Sequence, residues 1–90
     1  MATVRIPGSL QALTRGRSEV SAPGASAREI LAELDKRHPG LAAKILDERG
    51  EVRRYVGVFH GGEDIRYRGG LDAPVGASDE LVIVLAIAGG

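Results

Sequence analysis

An apolar run close to the end of the sequence constrains the fold most. Every residue from 81 to 86 is apolar, so both faces of an extended segment would be apolar. One face would carry Leu81, Ile83 and Leu85, and the other Val82 and Val84. A strand of this kind is typical of the interior of a sheet, beside a parallel neighbour. We therefore predict a central strand over 81–86 with other strands on both sides.

The flanking strands are predicted from shorter patterns in both halves of the chain. Residues 3–6 alternate polar with apolar, and 18–22 form a short second strand around the core residue Val20, with a loop over 9–17. The segment 54–60 is rich in β-branched and aromatic residues. The glycines at 61–62 then turn the chain into a short return strand over 63–67. In the turn region 69–75, Leu71 and Val75 are expected to close the edge of the core.

One main helix is predicted from Ser26 onward. Ser26 and Glu29 have the spacing of a capping box. The apolar positions that follow have helical spacing and are Ala27, Ile30, Leu31 and Leu34. Pro39 and Gly40 end the helix, which makes His38 a helix-end residue rather than a catalytic one. A shorter helical segment is expected over 41–46.

These elements predict an α+β fold: a mixed sheet of four or five strands with one main helix across one face. The domain would span 1–86, with a flexible tail over 87–90. Because one helix cannot cover both faces, apolar residues that point away from it would form an exposed patch beside the tail. Its candidate members are Tyr55, Phe59, Val82 and Val84, with arginines such as Arg66 at the rim. The alternative is a well-covered core with scattered surface valines.

Composition excludes several function classes. Twelve basic residues balance twelve acidic ones, so no net field would attract nucleic acid or a membrane surface. The absence of cysteine excludes disulfides and thiolate metal ligands, and we expect neither a metal nor a bound cofactor. No nucleophile and base, metal cluster or phosphate loop is apparent, so we expect no active site of its own. With no long apolar run, the protein is predicted to be cytoplasmic and monomeric when free.

The last two residues are Gly89 and Gly90. Without a Cβ, this backbone could pass through a channel too narrow for any side chain and present an unhindered carboxylate to a partner enzyme. The alternative is an end that merely frays.

Several stretches together resemble the prokaryotic ubiquitin-like sulfur carriers, the ThiS and MoaD type. They are residues 54–59, 62–67, 70–74 and 79–90. The resemblance covers nearly the whole chain and is closest to the subgroup that supplies sulfur for cysteine biosynthesis. Two positions depart from that subgroup, which usually has asparagine in place of Gly57 and proline in place of Leu85.

The resemblance implies a β-grasp fold and a cycle of activation and transfer. An enzyme of the ubiquitin-activating type, using ATP and Mg²⁺, would adenylate the Gly90 carboxylate, which a sulfur donor would convert into a thiocarboxylate. A sulfur-accepting synthase would then take the sulfur. Gly89 would enter the partner's channel, and Ile87 joins the predicted partner-binding residues. The alternatives are the small subunit of molybdopterin synthase and a ubiquitin-like modifier that forms isopeptide bonds through Gly90.

Overall fold

A five-stranded mixed sheet organises the part of the chain that the structure, a computed structural model, describes, residues 1–85. The strands are β1 (Ala2–Arg5), β2 (Glu19–Ala22), β3 (Val56–His60), β4 (Glu63–Asp64) and β5 (Glu80–Leu85). The α-helices are α1 (Ala27–Arg37) and α2 (Leu41–Ile45), and 3-10 helices span Gly8–Thr14, Ile65–Tyr67 and Gly70–Asp72. The strand order is β2-β1-β5-β3-β4.

The prediction of a central final strand is confirmed. β5 is parallel to β1 on one side and antiparallel to β3 on the other. Leu81 lies opposite Val4 and Ile83 opposite Val58, and all four side chains are buried. Both edges of β5 are therefore paired within the sheet, while its faces differ: Leu81 and Ile83 are buried in the core, and Val84 on the opposite face is 40% exposed.

Helix α1 begins as its capping box predicts, with one difference. The Ser26 hydroxyl accepts a hydrogen bond from the Glu29 amide at 3.3 Å, while the Glu29 carboxylate accepts one from the Ala25 amide at 3.0 Å rather than from Ser26. Two backbone donors at the start of the helix are thus satisfied. Its apolar side, with Ile30 and Leu31 fully buried, packs into a single core together with the inner face of the sheet.

The segment 9–17, predicted as a loop, instead contains the 3-10 helix Gly8–Thr14. Buried Thr14 stabilises its end, because the hydroxyl contacts both the Gln11 carbonyl at 3.2 Å and the Arg17 carbonyl at 2.7 Å. Leu10 is buried in the core and Leu13 packs against it. Local hydrogen bonds and the packing of two leucines therefore give regular structure to a connection whose composition predicted a loop.

The return strand predicted over 63–67 is also shorter than expected. Only Glu63–Asp64 pairs with β3, because the Asp64 carboxylate accepts a hydrogen bond from the Arg66 amide at 2.9 Å and caps a 3-10 turn. That turn buries Ile65. Likewise β3 begins at Val56 and not at residue 54, since the Val56 amide donates to the Arg53 carbonyl in a preceding turn. Leu71 and Val75 are buried at the core edge, as predicted.

Candidate functional site

Strand β5 carries the chain from the centre of the sheet towards the C-terminal tail. Its last residue, Leu85, lies opposite Val56 at the start of β3 and packs partly against the core. The predicted tail residues Ile87, Gly89 and Gly90 lie outside the described residues. The geometry that follows is therefore that of the surfaces around the base of the tail.

The sheet face opposite α1, here called the outer face, carries an apolar strip of Phe59, Val82 and Val84. Phe59 lies directly opposite Val82, and Val84 lies opposite Gly57. Phe59 and Val82 are half-buried, whereas Val84 is 40% exposed. The structure therefore brings three of the sequence-predicted partner-binding residues together on two neighbouring strands.

Gly57 lets the Phe59 ring lie flat along this strip. A Cβ on Gly57 would come within 2.8 Å of the ring carbon Cε1, closer than atoms of this kind approach each other. The ring thus occupies the space that a side chain at position 57 would need. Glycine at this position therefore leaves room for the Phe59 ring on the outer face.

Charged residues that border the outer face are paired with one another. Arg5 lies 3.0 Å from Glu80 and 3.5 Å from Glu19 across three adjacent strands, and Arg68 lies 3.8 Å from Glu63. All of these side chains are largely solvated, so each pair contributes little to stability. Their effect is to surround an apolar strip with charges of both signs, as in the polar rim of a protein interface.

A cavity of about 360 Å³ lies at the hairpin end of the strip, between Phe59, Val82 and Arg68. The His60 ring nitrogen Nε2 and the Asp79 carboxylate form its polar wall, 2.8 Å apart. That hydrogen bond, followed by one from the Gly76 amide, holds the pKa of Asp79 below its usual value, because both stabilise the charged carboxylate. This pair joins the end of β3 to the turn before β5.

Tyr55 and Arg66 lie at other places. Tyr55, 46% exposed, borders a separate groove with Leu85 at the far end of β5. Arg66 donates hydrogen bonds to the carbonyls of Val56 at 2.8 Å and Arg53 at 3.2 Å, and lines a further cavity beside α1. The structure therefore does not bring these two residues into the Phe59 strip, and partner binding by either one stays a prediction.

The groove beside Leu85 was missed by sequence reasoning. It has a volume of about 420 Å³, and Leu10, Leu13 and Lys44 also line it. The spacing of Leu10 and Leu13, three residues apart, is a weak signal of one helical turn with an apolar side. Nothing in the pattern of α2 indicates that Lys44 would lie near Leu85.

Within residues 1–85, no group of three or more His, Asp or Glu side chains is arranged to hold a metal ion. In the same part of the chain, no helix combines the length and the apolar character needed to cross a membrane.

Comparison with known proteins identifies the family. The profile of the ThiS family matches residues 4–90. The chain belongs to the ThiS family. A curated member, the sulfur carrier protein CysO of Mycobacterium tuberculosis, is 32% identical over 90 residues, which cover 98% of this chain and 97% of CysO. The resemblance noted in the sequence is thereby confirmed.

Solved structures agree with this ThiS-family assignment. A chain in the crystal structure of the Amycolatopsis orientalis BexX/CysO complex is 39% identical, with a TM-score of 0.93 and full coverage of both chains. The crystal structure of CysO from M. tuberculosis has a TM-score of 0.92 to this structure and is 29% identical in sequence. The match covers 97% of this chain and all of the CysO chain. The β-grasp fold is confirmed, and the chain is a sulfur carrier.

Proposed function

We propose that this carrier holds sulfur as a thiocarboxylate on Gly90, for use in cysteine biosynthesis or in making another sulfur-containing metabolite or cofactor. The observation that carries the proposal is the near full-length match to CysO, a sulfur carrier, together with a family match that extends through Gly89 and Gly90. A thiocarboxylate needs an accessible terminal carboxylate on a protein surface that partner enzymes can recognise. The residues of the tail follow Leu85, the last residue of the central strand.

The proposed chemistry has two steps. The Gly90 carboxylate attacks the α-phosphorus of ATP, bound with Mg²⁺ by an activating enzyme of the ubiquitin-activating type, and pyrophosphate leaves. A sulfur nucleophile then attacks the acyl adenylate, AMP leaves, and the carbonyl carbon keeps the sulfur. Because glycine has no side chain, neither attack meets a steric obstacle at Gly90. The carrier acts as a co-substrate, and the partner enzymes supply the active sites.

The CysO of A. orientalis has been crystallised in a complex with BexX, which supports the proposal that this carrier also docks on a protein partner. We assign that docking to the Phe59, Val82 and Val84 strip. A sulfur-accepting synthase would use the same tail after activation. We propose that the cycle takes place in the cytoplasm.

Intact mass spectrometry tests the proposal. After incubation with the cognate activating enzyme, ATP, Mg²⁺ and a sulfur source, the carrier should gain about 16 mass units, as one oxygen is replaced by sulfur. Deletion of Gly90 is the control. That variant should keep its far-ultraviolet circular dichroism and show no gain, since one terminal residue adds little packing. No gain in the intact carrier under conditions active for a known substrate would refute the proposal, and adducts on lysine alone would favour a protein modifier.

A further inference from the structure

The outer face of the sheet carries an excess of negative charge, although the chain as a whole is neutral. Arg5 lies opposite both Glu19 in β2 and the outer-face residue Val82 in β5. Glu80, two residues before Val82, has the same strand parity. Asp64 joins them from β4, since its partner across the sheet is the aromatic residue of the apolar strip. Among the strand residues of this face, three carboxylates therefore accompany a single guanidinium.

The cavity of about 360 Å³ at the hairpin end of the strip combines this negative charge with an aromatic surface. Phe59 and Val82 line it from the apolar strip, and Asp79 and Glu80 line it from the start of β5. The Asp79 and Glu80 side chains are 42% and 44% exposed, so a group from another molecule can reach both carboxylates. An occupant of the cavity therefore meets an aromatic ring and two carboxylates together.

Each of these carboxylates has an oxygen to spare. The hydrogen bonds of Asp79 with His60 and with the Gly76 amide, both at 2.8 Å, use Oδ2. Arg5 donates to Oε2 of Glu80 at 3.0 Å. Within residues 1–85, Oδ1 of Asp79 and Oε1 of Glu80 therefore remain as acceptors for a further donor.

Arg68 is the guanidinium in the cavity wall, and its charge is already offset. Its Nη1 lies 3.8 Å from Glu63 Oε1 and 3.3 Å from the position of a Cβ on Gly61. The guanidinium thus lies against the hairpin backbone beside a carboxylate of its own. A cation in the cavity would face this balanced pair, whereas an anion would face Asp79 and Glu80, so the charges favour a cation.

We propose that the partner which docks on the outer face inserts an arginine side chain into this cavity. The planar guanidinium stacks on the Phe59 ring and donates hydrogen bonds to the spare oxygens of Asp79 and Glu80. A lysine fits less well, because its ammonium is a point charge without a flat face. Resting on the proposed function, this inference gives the docking partner a stated chemistry: an apolar patch with an arginine beside it, complementary to the negative outer face.

Nuclear magnetic resonance titration of the free, full-length, isotope-labelled carrier with Nα-acetylarginine amide tests the cavity without a partner enzyme. We expect the resonances of the Phe59 ring and the Val82 methyl groups to shift, and the affinity to fall as the salt concentration rises. Nα-acetylcitrulline amide, which has a similar shape and no charge, is the control. No shift at these residues at millimolar arginine amide, or equal shifts with citrulline amide, would overturn the proposal. So would stronger binding of Nα-acetylglutamate amide beside Arg68, which would make the cavity an anion site.

Two charge changes on the outer face should alter arginine binding in opposite directions. Glu80→Gln should weaken it about threefold through the loss of one carboxylate, whereas Arg5→Gln should tighten it about twofold, because a competing cation is removed. Glu33→Gln, on the solvated side of α1 beside Lys36, is the matched control and should leave the affinity unchanged. A disturbed fold would weaken binding in both outer-face variants, so weaker binding to Arg5→Gln would contradict the proposal.

Association with the cognate activating enzyme, measured without ATP, tests whether docking uses the cavity. Glu80→Gln should raise the Kd about threefold and reduce its salt dependence, and Glu33→Gln should do neither. Equal affinities of Glu80→Gln and the unmodified carrier would overturn the inference, even where the thiocarboxylate forms. A missing mass gain together with an intact effect of Glu80→Gln would refute the proposed chemistry and leave the docking inference supported.

Discussion

At position 24, glycine is required both by the backbone conformation and by the atoms packed around it. It lies just before the Ser26 cap, and its backbone has φ of 152°, a conformation that residues with side chains rarely adopt. A Cβ there would be 2.8 Å from the Ile30 amide nitrogen and 2.9 Å from Ile30 Cγ1. Backbone in the first turns of α1 cannot move aside without disturbing the core.

We expect Gly24→Ala to lower the free energy of unfolding by about 2–4 kcal/mol, from strain and overpacking together. Urea denaturation followed by circular dichroism measures this loss. Gly8→Ala is the matched control, since a Cβ on Gly8 would meet nothing within 4 Å and should change stability by less than about 0.5 kcal/mol. Equal losses in the two variants would show that close packing at Gly24 is not the cause.

Gly57 differs from Gly24, because the atom that a Cβ on Gly57 would approach too closely belongs to the movable Phe59 ring and not to the backbone. Gly57→Ala should change stability by less than about 1 kcal/mol, as the ring swings aside and alanine restricts the unfolded chain. The ring now lies beside Val84, the residue opposite Gly57, so its ring current should shift the Val84 methyl resonances. We expect that shift to shrink in the variant. Unchanged Val84 resonances would contradict this description of the outer face.

At the scale of elements, Asp35 joins the two α-helices. It belongs to α1, yet its carboxylate oxygen Oδ1 accepts hydrogen bonds from the amides of Gly40 and Ala42, each at 3.1 Å. These amides lie at the start of α2, where Gly40 takes a left-handed conformation with φ of 96°. One side chain thus caps the second helix and fixes the turn between the two.

Asp35→Ala should therefore cost about 1 kcal/mol in the free energy of unfolding, the usual effect of losing a cap. Asp35→Asn retains an oxygen acceptor of the same geometry and should cost less than half as much. Urea denaturation of both variants measures the difference. If Asp35→Asn lowers the free energy of unfolding as much as Asp35→Ala does, the negative charge of Asp35 is what stabilises the turn, and an oxygen acceptor alone is not sufficient.

Elements with strong patterns could be predicted from the sequence. The both-faced apolar pattern of β5 and the capping box of α1 are local signals that agree with the packing. Asp35 could not be recognised, because helical spacing places it on the solvated side and its partners depend on the turn that follows. The 3-10 helices Gly8–Thr14 and Ile65–Tyr67 were not predicted for a similar reason, since they are stabilised by side-chain hydrogen bonds of Thr14 and Asp64.

The candidate site was predictable to the extent that strand parity decides it. Phe59, Val82 and Val84 have the parity of the outer face once β3 and β5 are taken as neighbours. Tyr55 has the parity of Phe59, but the turn before Val56 takes it out of the strand. The groove that it borders combines four separate segments of the chain, and no local pattern in one segment indicates the other three.

At the scale of the whole molecule, three aspartates share one electrostatic property, and two of them connect separate parts of the fold. Asp72 pairs with Arg28 at 2.7 Å, Asp79 with His60 at 2.8 Å, and Asp47 accepts hydrogen bonds within its own turn, first from the Glu51 amide. These contacts hold the pKa of each carboxyl below its usual value. Protonation of any of the three therefore removes an interaction of the folded state.

The sign of the pH dependence follows from that direction. A carboxyl whose pKa is lower when folded stabilises the protein above its unfolded pKa of about 3.9, and this stabilisation is lost as the pH falls through the folded value. The urea midpoint should thus decrease as the pH falls from about 5 to about 2.5. Solvent screening at these exposed sites keeps each contribution modest.

Asp79→Asn isolates one of these contributions. At pH 5 the variant should unfold at a lower urea concentration than the unmodified protein, because its neutral amide attracts neither His60 nor the Gly76 amide as strongly. The gap between the two midpoints should be smaller at about pH 2.5 than at about pH 5, since a growing fraction of Asp79 is protonated as the pH falls. Ser78→Ala, a neutral change in the same turn, should shift the midpoint equally at both pH values. If the difference in urea midpoint between Asp79→Asn and the unmodified protein is the same at both pH values, the variant is destabilised by altered packing and not by the loss of charge.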